Sequence, residues 1–239
     1  MTPSSQIPTL PTSHLGHTGD IEDTSLRLPL RVRVKICGIT SPEDAEAAIA
    51  AGADALGFNT WQGSRRYLDL ETATDWISTL PSFVTRVALC VNAPLEHAQR
   101  LAALPYLDAL QFHGDESHEY CRLFAGLGRP FLRAVRLGAS SELNDLTLWS
   151  TRQLLVDAAV PGAYGGTGCS ADLALAAEAV ARFPRLYVTL AGGLEPDNVA
   201  AAVRRVRPYA VDVASGVESA PGKKDTGKMR AFVQAVLGA

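Results

Sequence analysis

Cysteine is scarce in this sequence, and the few thiols stand far apart. The four cysteines, Cys37, Cys90, Cys121 and Cys169, form no C-x-x-C pair and no cluster with histidine at metal-ligand spacing. A disulfide framework and a metal site are therefore not expected. Reduced thiols in a cytoplasmic protein fit this pattern better.

An excess of charge of one sign is also missing, and so are long apolar runs. Lysine and arginine number 22 against 25 aspartates and glutamates, which leaves a net charge of −3. That balance provides no basic surface for nucleic acid and no polybasic patch for anionic lipid. No stretch approaches the roughly 18 apolar residues of a membrane span. The expected partner is a small molecule, with neither nucleic acid nor membrane.

The first thirty residues contain no aromatic side chain, and half of them are Pro, Ser, Thr or Gly. So little apolar surface does not offset the entropy lost on ordering. We therefore predict a disordered tail over residues 1–30, followed by one domain over residues 31–239. The tail lacks the apolar stretch of a secretory signal and the arginines of a transit peptide, which favours a cytoplasmic location.

From residue 31 onward, short β-rich runs alternate with helical segments. The predicted strands are 32–37, 55–58, 85–91, 109–112, 131–135, 153–157, 187–191 and 210–213. The predicted helices are 42–51, 71–80, 94–104, 116–125, 141–149, 171–183, 196–206 and 226–237. Ser41-Pro42-Glu43-Asp44 carries a cap, a proline and two acids at a helix start. Eight strand–helix units predict an α/β protein of the (β/α)₈ barrel, or TIM barrel, class.

A doubly wound open sheet is the alternative, but it usually has a glycine-rich turn after its first strand. Here Gly38 stands alone, and the glycine clusters come late, at Gly165-Gly166-Thr167-Gly168, Gly192-Gly193 and Gly216. Late glycines after strands six to eight are typical of a barrel phosphate site, which favours the barrel.

The side chains of the first strand alternate between its two faces. Val34 and Ile36 share one face, whereas Arg33, Lys35 and Cys37 share the other. Because the apolar face must pack under the helices, Lys35 and Cys37 are expected to point into the barrel. A buried small hydrophobe is the alternative interpretation of Cys37.

Other strands place polar residues at the same C-terminal mouth. Asp157 ends strand six, Gln111 and His113 share a face at the end of strand four, and Asp212 lies within strand eight. Functional residues of barrels lie at this end. The structural alternatives are a loop-capping Asp157, a hydrogen-bonded His113, and a salt bridge from Asp212 to Lys35 or Arg133.

The loops at this mouth offer groups that bind anions. Gly192-Gly193 and Ser215-Gly216 present backbone N–H groups where barrels hold phosphate. Ser64-Arg65-Arg66-Tyr67 offers arginines to a carboxylate or a second phosphate, or is a solvated basic loop. Together these features predict an isomerase or lyase that acts on a phosphorylated, anionic metabolite.

Motifs along nearly the whole of residues 31–237 resemble the phosphoribosylanthranilate isomerase family. They include Lys35-Ile36-Cys37-Gly38-Ile39-Thr40, Gly52-Ala53-Asp54-Ala55-Leu56-Gly57-Phe58, Ser64-Arg65-Arg66-Tyr67, Gln111-Phe112-His113-Gly114, Gly165-Gly166-Thr167-Gly168, Asp212-Val213-Ala214-Ser215-Gly216-Val217-Glu218 and Pro221-Gly222-Lys223-Lys224-Asp225. The opening and closing motifs are the most specific.

The resemblance implies a single barrel that acts in tryptophan biosynthesis without a cofactor. It implies conversion of N-(5-phosphoribosyl)anthranilate to 1-(2-carboxyphenylamino)-1-deoxyribulose 5-phosphate by an Amadori rearrangement. By motif, Cys37 is similar to the family's general base, Asp157 to its general acid and Arg66 to the arginine for the anthranilate carboxylate. The positions that match its phosphate site are Gly166, Gly193, Ser215 and Gly216. Lys35, Gln111, His113 and Asp212 are expected to line the substrate site.

An isolated thiol has a pKa near 8.5. A nearby cation is therefore needed to raise the thiolate fraction of Cys37, and Lys35 on the same strand face is our hypothesis for it. Thr60, Ala171, Ala191 and Ala214 depart from the family pattern. The backbone donors remain, so phosphate binding is expected to persist.

Other barrels fit less well. Bifunctional sugar isomerases of histidine and tryptophan synthesis use an aspartate where Cys37 stands, and indole-3-glycerol phosphate synthase has a different catalytic set. A metal-dependent epimerase needs clustered histidines and acids. A non-catalytic barrel that binds an anionic metabolite is the alternative from another class, and both monomer and homodimer fit the sequence.

Overall fold

Eight parallel strands close into a barrel in the computed structural model, which describes residues 31–157 and 172–239. Each strand pairs with its neighbour in chain order, and β8 returns to pair with β1. The strands are β1 Arg33–Cys37, β2 Ala55–Asn59, β3 Thr85–Cys90, β4 Ala109–Phe112, β5 Phe131–Arg136, β6 Gln153–Asp157, β7 Tyr187–Leu190 and β8 Ala210–Val213. The predicted (β/α)₈ barrel is confirmed.

Helices follow the strands and cover the outside of the barrel. They are α1 Pro42–Ala51, α2 Thr74–Ile77, α3 Leu95–Ala102, α4 His118–Ala125, α5 Leu173–Arg182, α6 Val199–Val206 and α7 Thr226–Leu237, with a 3₁₀ helix at Ser140–Leu148 between β5 and β6. The predicted start of α1 is confirmed, because the Ser41 side chain accepts a hydrogen bond from the Asp44 N–H.

Two predicted helices differ from the structure in kind, and others are shorter at their ends, such as 196–206, which is Val199–Val206. The segment 71–80 contains a single α-helical turn, Thr74–Ile77. Its threonines at 72, 74 and 79 have a low helix propensity because they are branched at Cβ. The predicted α-helix at 141–149 is the 3₁₀ helix Ser140–Leu148. Its Ser, Asn and Asp residues favour caps and turns over a regular α-helix.

The side chains of β1 point to the faces of the strand that were predicted for them. Val34 and Ile36 belong to the large core between strands and helices, and both are fully buried. Lys35 and Cys37 lie inside the barrel, where Cys37 packs with Leu89. The Cys37 thiol therefore faces the inside of the barrel at the end where β1 meets its loop, with Lys35 two residues deeper on the same face.

A hairpin that the sequence analysis did not predict lies after β8. It consists of a 3₁₀ turn at Ser215–Val217, β9 at Glu218–Ala220 and β10 at Lys223–Lys224. The Thr40 hydroxyl donates to the Gly222 carbonyl, and Asp44 accepts from the Lys224 N–H. These contacts hold the hairpin against the loop that follows β1.

Two predicted features lie outside the described residues, namely the disordered tail at 1–30 and the glycine loop at 165–168. Of the helices that are described, none combines the length and the apolar character needed to cross a membrane.

Candidate active site

Cys37 lies at the C-terminal end of β1 and is only 5% exposed. Lys35 is buried beside it, and its Nζ lies 2.6 Å from Asp212 Oδ1 on β8. This confirms the Lys35–Asp212 salt bridge that was one interpretation of Asp212. Burial alone would lower the pKa of Lys35, but the charges of Asp212 and Cys37 raise it, so the ammonium group stays protonated.

The thiol of Cys37 is influenced by opposing effects. Burial is the largest and raises its pKa, the charge of Lys35 lowers it, Asp212 raises it, and Lys224 lowers it. The net pKa lies above the usual value of a thiol. The expectation that Lys35 favours the thiolate is therefore right in direction, but burial outweighs it in the substrate-free protein.

Lys224 is the second cation near this thiol, and its role was not predicted from the sequence. Its Nζ donates to the Cys37 carbonyl at 2.6 Å and to the Ala214 carbonyl at 3.1 Å, and lies 2.9 Å from Glu218 Oε1. Its partner on β1 is 187 residues away in the chain. The Lys223-Lys224 pair within the closing motif was the only signal for it.

Gly57 on β2 gives Cys37 the space that it occupies. It is the register partner of Cys37, and a Cβ atom at this position would lie 2.7 Å from the Cys37 sulfur and 3.0 Å from Lys35 Nζ. A glycine inside a strand often marks such a close approach. This signal was present in the sequence.

Arg66 follows β2 and is held by the hairpin. Its Nε and Nη2 donate to the two carboxylate oxygens of Glu218 at 2.7 and 2.8 Å. Burial raises the pKa of Glu218, but the hydrogen bonds and charges of Arg66 and Lys224 outweigh it and lower that pKa. Arg66, Ser215 and Ser219 line an open cavity of about 410 Å³. The bidentate pair therefore fixes Arg66 at the mouth.

Asp157, His113 and Gln111 form a buried chain on the other side of the mouth. His113 Nε2 lies 2.9 Å from Asp157 Oδ2, and its Nδ1 lies 2.7 Å from Gln111 Nε2. Their exposed fractions are 7%, 6% and 0%. Asp157 and His113 also line a cavity of about 230 Å³. A hydrogen-bonded histidine, one interpretation of His113, is what the structure contains.

Arg133 on β5 does not pair with Asp212. It lies 3.0 Å from Glu116 Oε2 and donates to the carbonyls of Phe112 and Gly114, with its guanidinium over the ring of Trp149. Burial lowers the pKa of Arg133. The Arg133 alternative for Asp212 is therefore wrong.

The loops after β7 and β8 lie against each other at the mouth. Gly192 and Gly193 have φ angles of 89° and 63°, a region that favours glycine. A side chain at Gly216 would collide with the carbonyl of Leu194, so the Ser215–Gly216 turn requires a bare backbone there. Predicted Gly166 lies outside the described residues. The substrate and phosphate roles of these residues stay predictions.

No group of three or more His, Cys, Asp or Glu side chains with metal-binding geometry occurs in the described part of the chain. The described thiols of Cys37, Cys90 and Cys121 are free. Burial raises the pKa of Cys90 to about 12 and that of Cys121 to about 11. These two thiols therefore stay protonated at neutral pH.

The chain is similar to known proteins of one family. Residues 34–235 match the family model of N-(5'phosphoribosyl)anthranilate (PRA) isomerase. The N-(5'-phosphoribosyl)anthranilate isomerase of Magnetococcus marinus is 49% identical over 207 residues, which cover 87% of this chain and 96% of that protein.

Solved structures show the same similarity. Phosphoribosyl anthranilate isomerase from Thermotoga maritima is 38% identical with a TM-score of 0.77, covering 87% of this chain and all of that one. A second isomerase structure, solved with reduced 1-(o-carboxyphenylamino)-1-deoxyribulose 5-phosphate, is 36% identical with a TM-score of 0.73 and the same coverage. The chain therefore belongs to the phosphoribosylanthranilate isomerase family.

Proposed function

We propose that this barrel converts N-(5-phosphoribosyl)anthranilate to 1-(2-carboxyphenylamino)-1-deoxyribulose 5-phosphate, with Cys37 as general base and Asp157 as general acid. One structural observation supports the assignment of Cys37 and Asp157 most directly. A buried thiol beside two ammonium groups and a buried carboxyl group with an imidazole partner lie at the same barrel mouth. Pairs of titratable groups in contrasting environments are typical of acid–base catalysis.

The first step opens the sugar ring. Asp157 donates its proton to the ribose ring oxygen as the bond from that oxygen to C1′ breaks. The lone pair of the anthranilate nitrogen then forms the C1′=N bond of a protonated Schiff base. The position of Asp157 supports this role, because it is buried at the C-terminal end of β6, where the functional groups of barrels lie.

The second step moves a proton from carbon. The Cys37 thiolate takes the proton from C2′, and the electrons of that C–H bond form C1′=C2′ while the nitrogen becomes neutral. The resulting enolamine tautomerises to the ketone product. General acid–base assistance contributes on the order of 10²–10⁴-fold for each group.

Two anionic groups of the substrate need partners, the anthranilate carboxylate and the phosphate. Arg66 uses Nε and Nη2 for Glu218 within the described residues, so Nη1 can reach the anthranilate carboxylate. The backbone N–H groups of Gly193, Ser215 and Gly216 suit the phosphate, with Gly166 as a further predicted donor. Lys35, Gln111, His113 and Asp212 then form the wall beneath the sugar.

The proposed function also includes a location, a pathway and an oligomeric state. We place the protein in the cytoplasm as an enzyme of tryptophan biosynthesis that needs no cofactor and no nucleic-acid partner, acting as a monomer or a homodimer. Residues 31–239 form the catalytic domain of this proposal, and residues 1–30 form its tail.

A non-catalytic barrel that binds an anionic metabolite is the alternative. Such a protein needs Arg66 and the phosphate loops, but it needs neither a thiol between two lysines nor a buried carboxyl group. The placement of Cys37 beside Lys35 and Lys224 therefore favours the enzyme.

The test follows anthranilate fluorescence while the full chain acts on freshly generated phosphoribosylanthranilate. We expect a rapid loss of signal with the wild type, and a kcat at least about 10²-fold lower for Cys37→Ala. Cys90→Ala is the matched control, since it removes another buried thiol. Loss of signal at equal rates in wild type and Cys37→Ala would remove Cys37 from the mechanism, and no turnover by the wild type would favour the binding protein.

A further inference from the structure

Glu218 joins two cationic groups that lie beside different parts of the site. Its Oε1 accepts from Arg66 Nε at 2.7 Å and from Lys224 Nζ at 2.9 Å, and its Oε2 accepts from Arg66 Nη2 at 2.8 Å. The side chain of Glu218 is 4% exposed and that of Lys224 is fully buried. We propose that Glu218 is a positioning residue that keeps the Lys224 ammonium charged beside Cys37 while it holds Arg66 for the substrate carboxylate. The inference rests on the proposed function, in which Cys37 is the base and Arg66 binds that carboxylate.

The ammonium group of Lys224 uses all three of its donors but has a single anionic partner. Its donors meet the carbonyls of Cys37 and Ala214 at 2.6 and 3.1 Å and the carboxylate of Glu218. Carbonyl groups satisfy hydrogen bonds, but they bring no net charge to offset the burial of a cation. Within the described part of the chain, Glu218 is the one carboxylate paired with this ammonium. Loss of the Glu218 charge would therefore leave a buried cation without compensation.

The protonation of Lys224 depends on this partner. Burial lowers the pKa of Lys224, whereas the charge and the hydrogen bond of Glu218 raise it. The net pKa lies below the usual value of a lysine, so a loss of the Glu218 charge would lower it further and favour the neutral amine. A neutral Lys224 would no longer lower the pKa of Cys37. Glu218 thus acts on the thiol through Lys224.

The other charged groups around Lys224 have partners of their own. They are Lys35 and Asp212 inside the barrel, Arg66 after β2, Asp44 on α1, and Asp225 and Lys228 at the start of α7. Lys35 and Asp212 pair with each other. The carboxylates of Asp44 and Asp225 accept from backbone N–H groups, and Lys228 Nζ donates to the backbone carbonyl of Glu218. These groups are therefore not expected to replace the Glu218 carboxylate beside the Lys224 ammonium.

The charge of Lys224 can be measured without substrate, by NMR of the full chain labelled with ¹³C-lysine. Its Cε signal, assigned as the one absent from Lys224→Met, is followed against pH. We expect the chemical shift of a charged lysine at neutral pH in the wild type, and loss of the proton at lower pH in Glu218→Gln. A Lys224 that is neutral at pH 7 in the wild type would overturn the inference, and this arm serves if Glu218→Gln does not fold. Loss of the proton at the same or a higher pH in Glu218→Gln would also overturn it.

Labelling of Cys37 by iodoacetamide then shows whether the effect reaches the thiol. The rate at Cys37, measured by mass spectrometry against pH, follows the thiolate. In Glu218→Gln we expect the profile to move to higher pH, toward that of Lys224→Met. A move of one pH unit lowers the thiolate fraction at neutral pH about tenfold. An unchanged profile, or a move to lower pH, would contradict the proposal.

Glu116→Gln is the matched control for this labelling. It removes another buried carboxylate that is bonded to an arginine, Arg133, and that is not paired with Lys224. Its Cys37 profile should equal that of the wild type. Neither the NMR titration nor the labelling needs turnover, so their failure is distinguishable from a lack of isomerase activity.

A double variant separates the two roles of Glu218. In the Lys224→Met background, Glu218→Gln should cause no further rise in the pH at which Cys37 ionises, because the group that carries the effect is gone. The looser Arg66 should still raise KM, with kcat no lower than in Lys224→Met. In the wild-type background, Glu218→Gln should raise KM and also lower kcat. A raised KM with unchanged kcat in that background would leave Glu218 with the single role of holding Arg66, which would contradict the proposal.

Discussion

Cys37 and Asp157 end strands on different sides of the barrel mouth, and their surroundings differ in kind. Beside Cys37 stand Lys35 and Lys224, two buried ammonium groups whose charges favour loss of a proton. Beside Asp157 stands the imidazole of His113, backed by an amide. Both groups are buried, and for the Cys37 thiol burial raises the pKa. Burial is thus common to both sides, and the partners make the difference.

Under the proposed function, this contrast separates the environment of the base from that of the acid. On the base side, two cations act against burial, although burial still leaves the pKa of Cys37 above its usual value in the substrate-free protein. On the acid side, the direct partner of the carboxyl group is an imidazole and no ammonium group. The first prediction tests the acid side and asks whether the two sides are independent.

Asp157→Asn should have the largest effect, because the ring oxygen then has no proton donor. We expect kcat to fall by about 10²–10⁴-fold, as measured by the fluorescence assay. Asp75→Asn, which removes an exposed carboxylate on the outer helix α2, serves as the control. The pH at which Cys37 ionises should not change. A kcat within about tenfold of wild type would remove Asp157 as the acid.

Gly57→Ala should have the next largest effect, now on the base side. The added methyl group would lie 2.7 Å from the Cys37 sulfur, so the thiol must move. We expect kcat to fall by about 10²-fold, the usual consequence of a displacement near 1 Å. Steady-state kinetics with Gly138→Ala as control measures this, since a methyl group there meets nothing nearer than 3.9 Å. Equal losses in both variants would contradict the proposed packing.

Lys224→Met tests the charge on the base side without displacing the thiol. The ammonium lowers the pKa of Cys37, so its removal should raise that pKa further and move ionisation to higher pH. The rate of iodoacetamide labelling at Cys37, measured by mass spectrometry against pH, reports the thiolate directly. Mass spectrometry separates labelling at Cys37 from labelling at Cys90 and Cys121, whose pKa values burial raises to about 12 and about 11.

The neighbour of Lys224 provides a matched control. Lys223 is exposed on the same hairpin, and it is not among the charges that shift the pKa of Cys37. Lys223→Met should therefore leave the labelling profile unchanged. Identical profiles for wild type and Lys224→Met would show that the second cation does not tune the thiol. In Lys224→Met, Glu218 keeps its bidentate partner Arg66, so the hairpin should stay folded.

The barrel could be predicted from the sequence because the side chains of a strand alternate regularly between its two faces. The bounds of β4, β6 and β8 are those predicted, and the inward direction of Lys35 and Cys37 follows from the period of two along β1. The helix at 71–80 was overestimated because the spacing of its apolar residues does not account for the low helix propensity of its threonines.

The contacts of the site were harder to predict, because they join residues that are distant in the chain. Glu218 binds Arg66 across 152 positions, and His113 reaches Asp157 across 44 positions and over β5. Periodicity assigns each residue a face but not a partner. Burial of the thiol also depends on the whole mouth, which is why Lys35 alone did not determine the pKa of Cys37.

The smallest effect is expected at the opposite end of β1, which lies away from the barrel mouth. Arg33 begins this strand, about 13 Å from Cys37 at 3.3 Å per residue, and its Nε donates to the Tyr209 hydroxyl at 3.0 Å. Tyr209→Phe removes that bond and keeps the ring under the guanidinium. We expect a loss of less than about 1 kcal/mol in the free energy of unfolding, measured by urea denaturation, because the contact is exposed. Both kcat and KM should be unchanged, since functional groups of a barrel lie at its C-terminal end. A fall in kcat for Tyr209→Phe would mean that the two ends of β1 are coupled, and the chemistry could then not be assigned to the mouth alone.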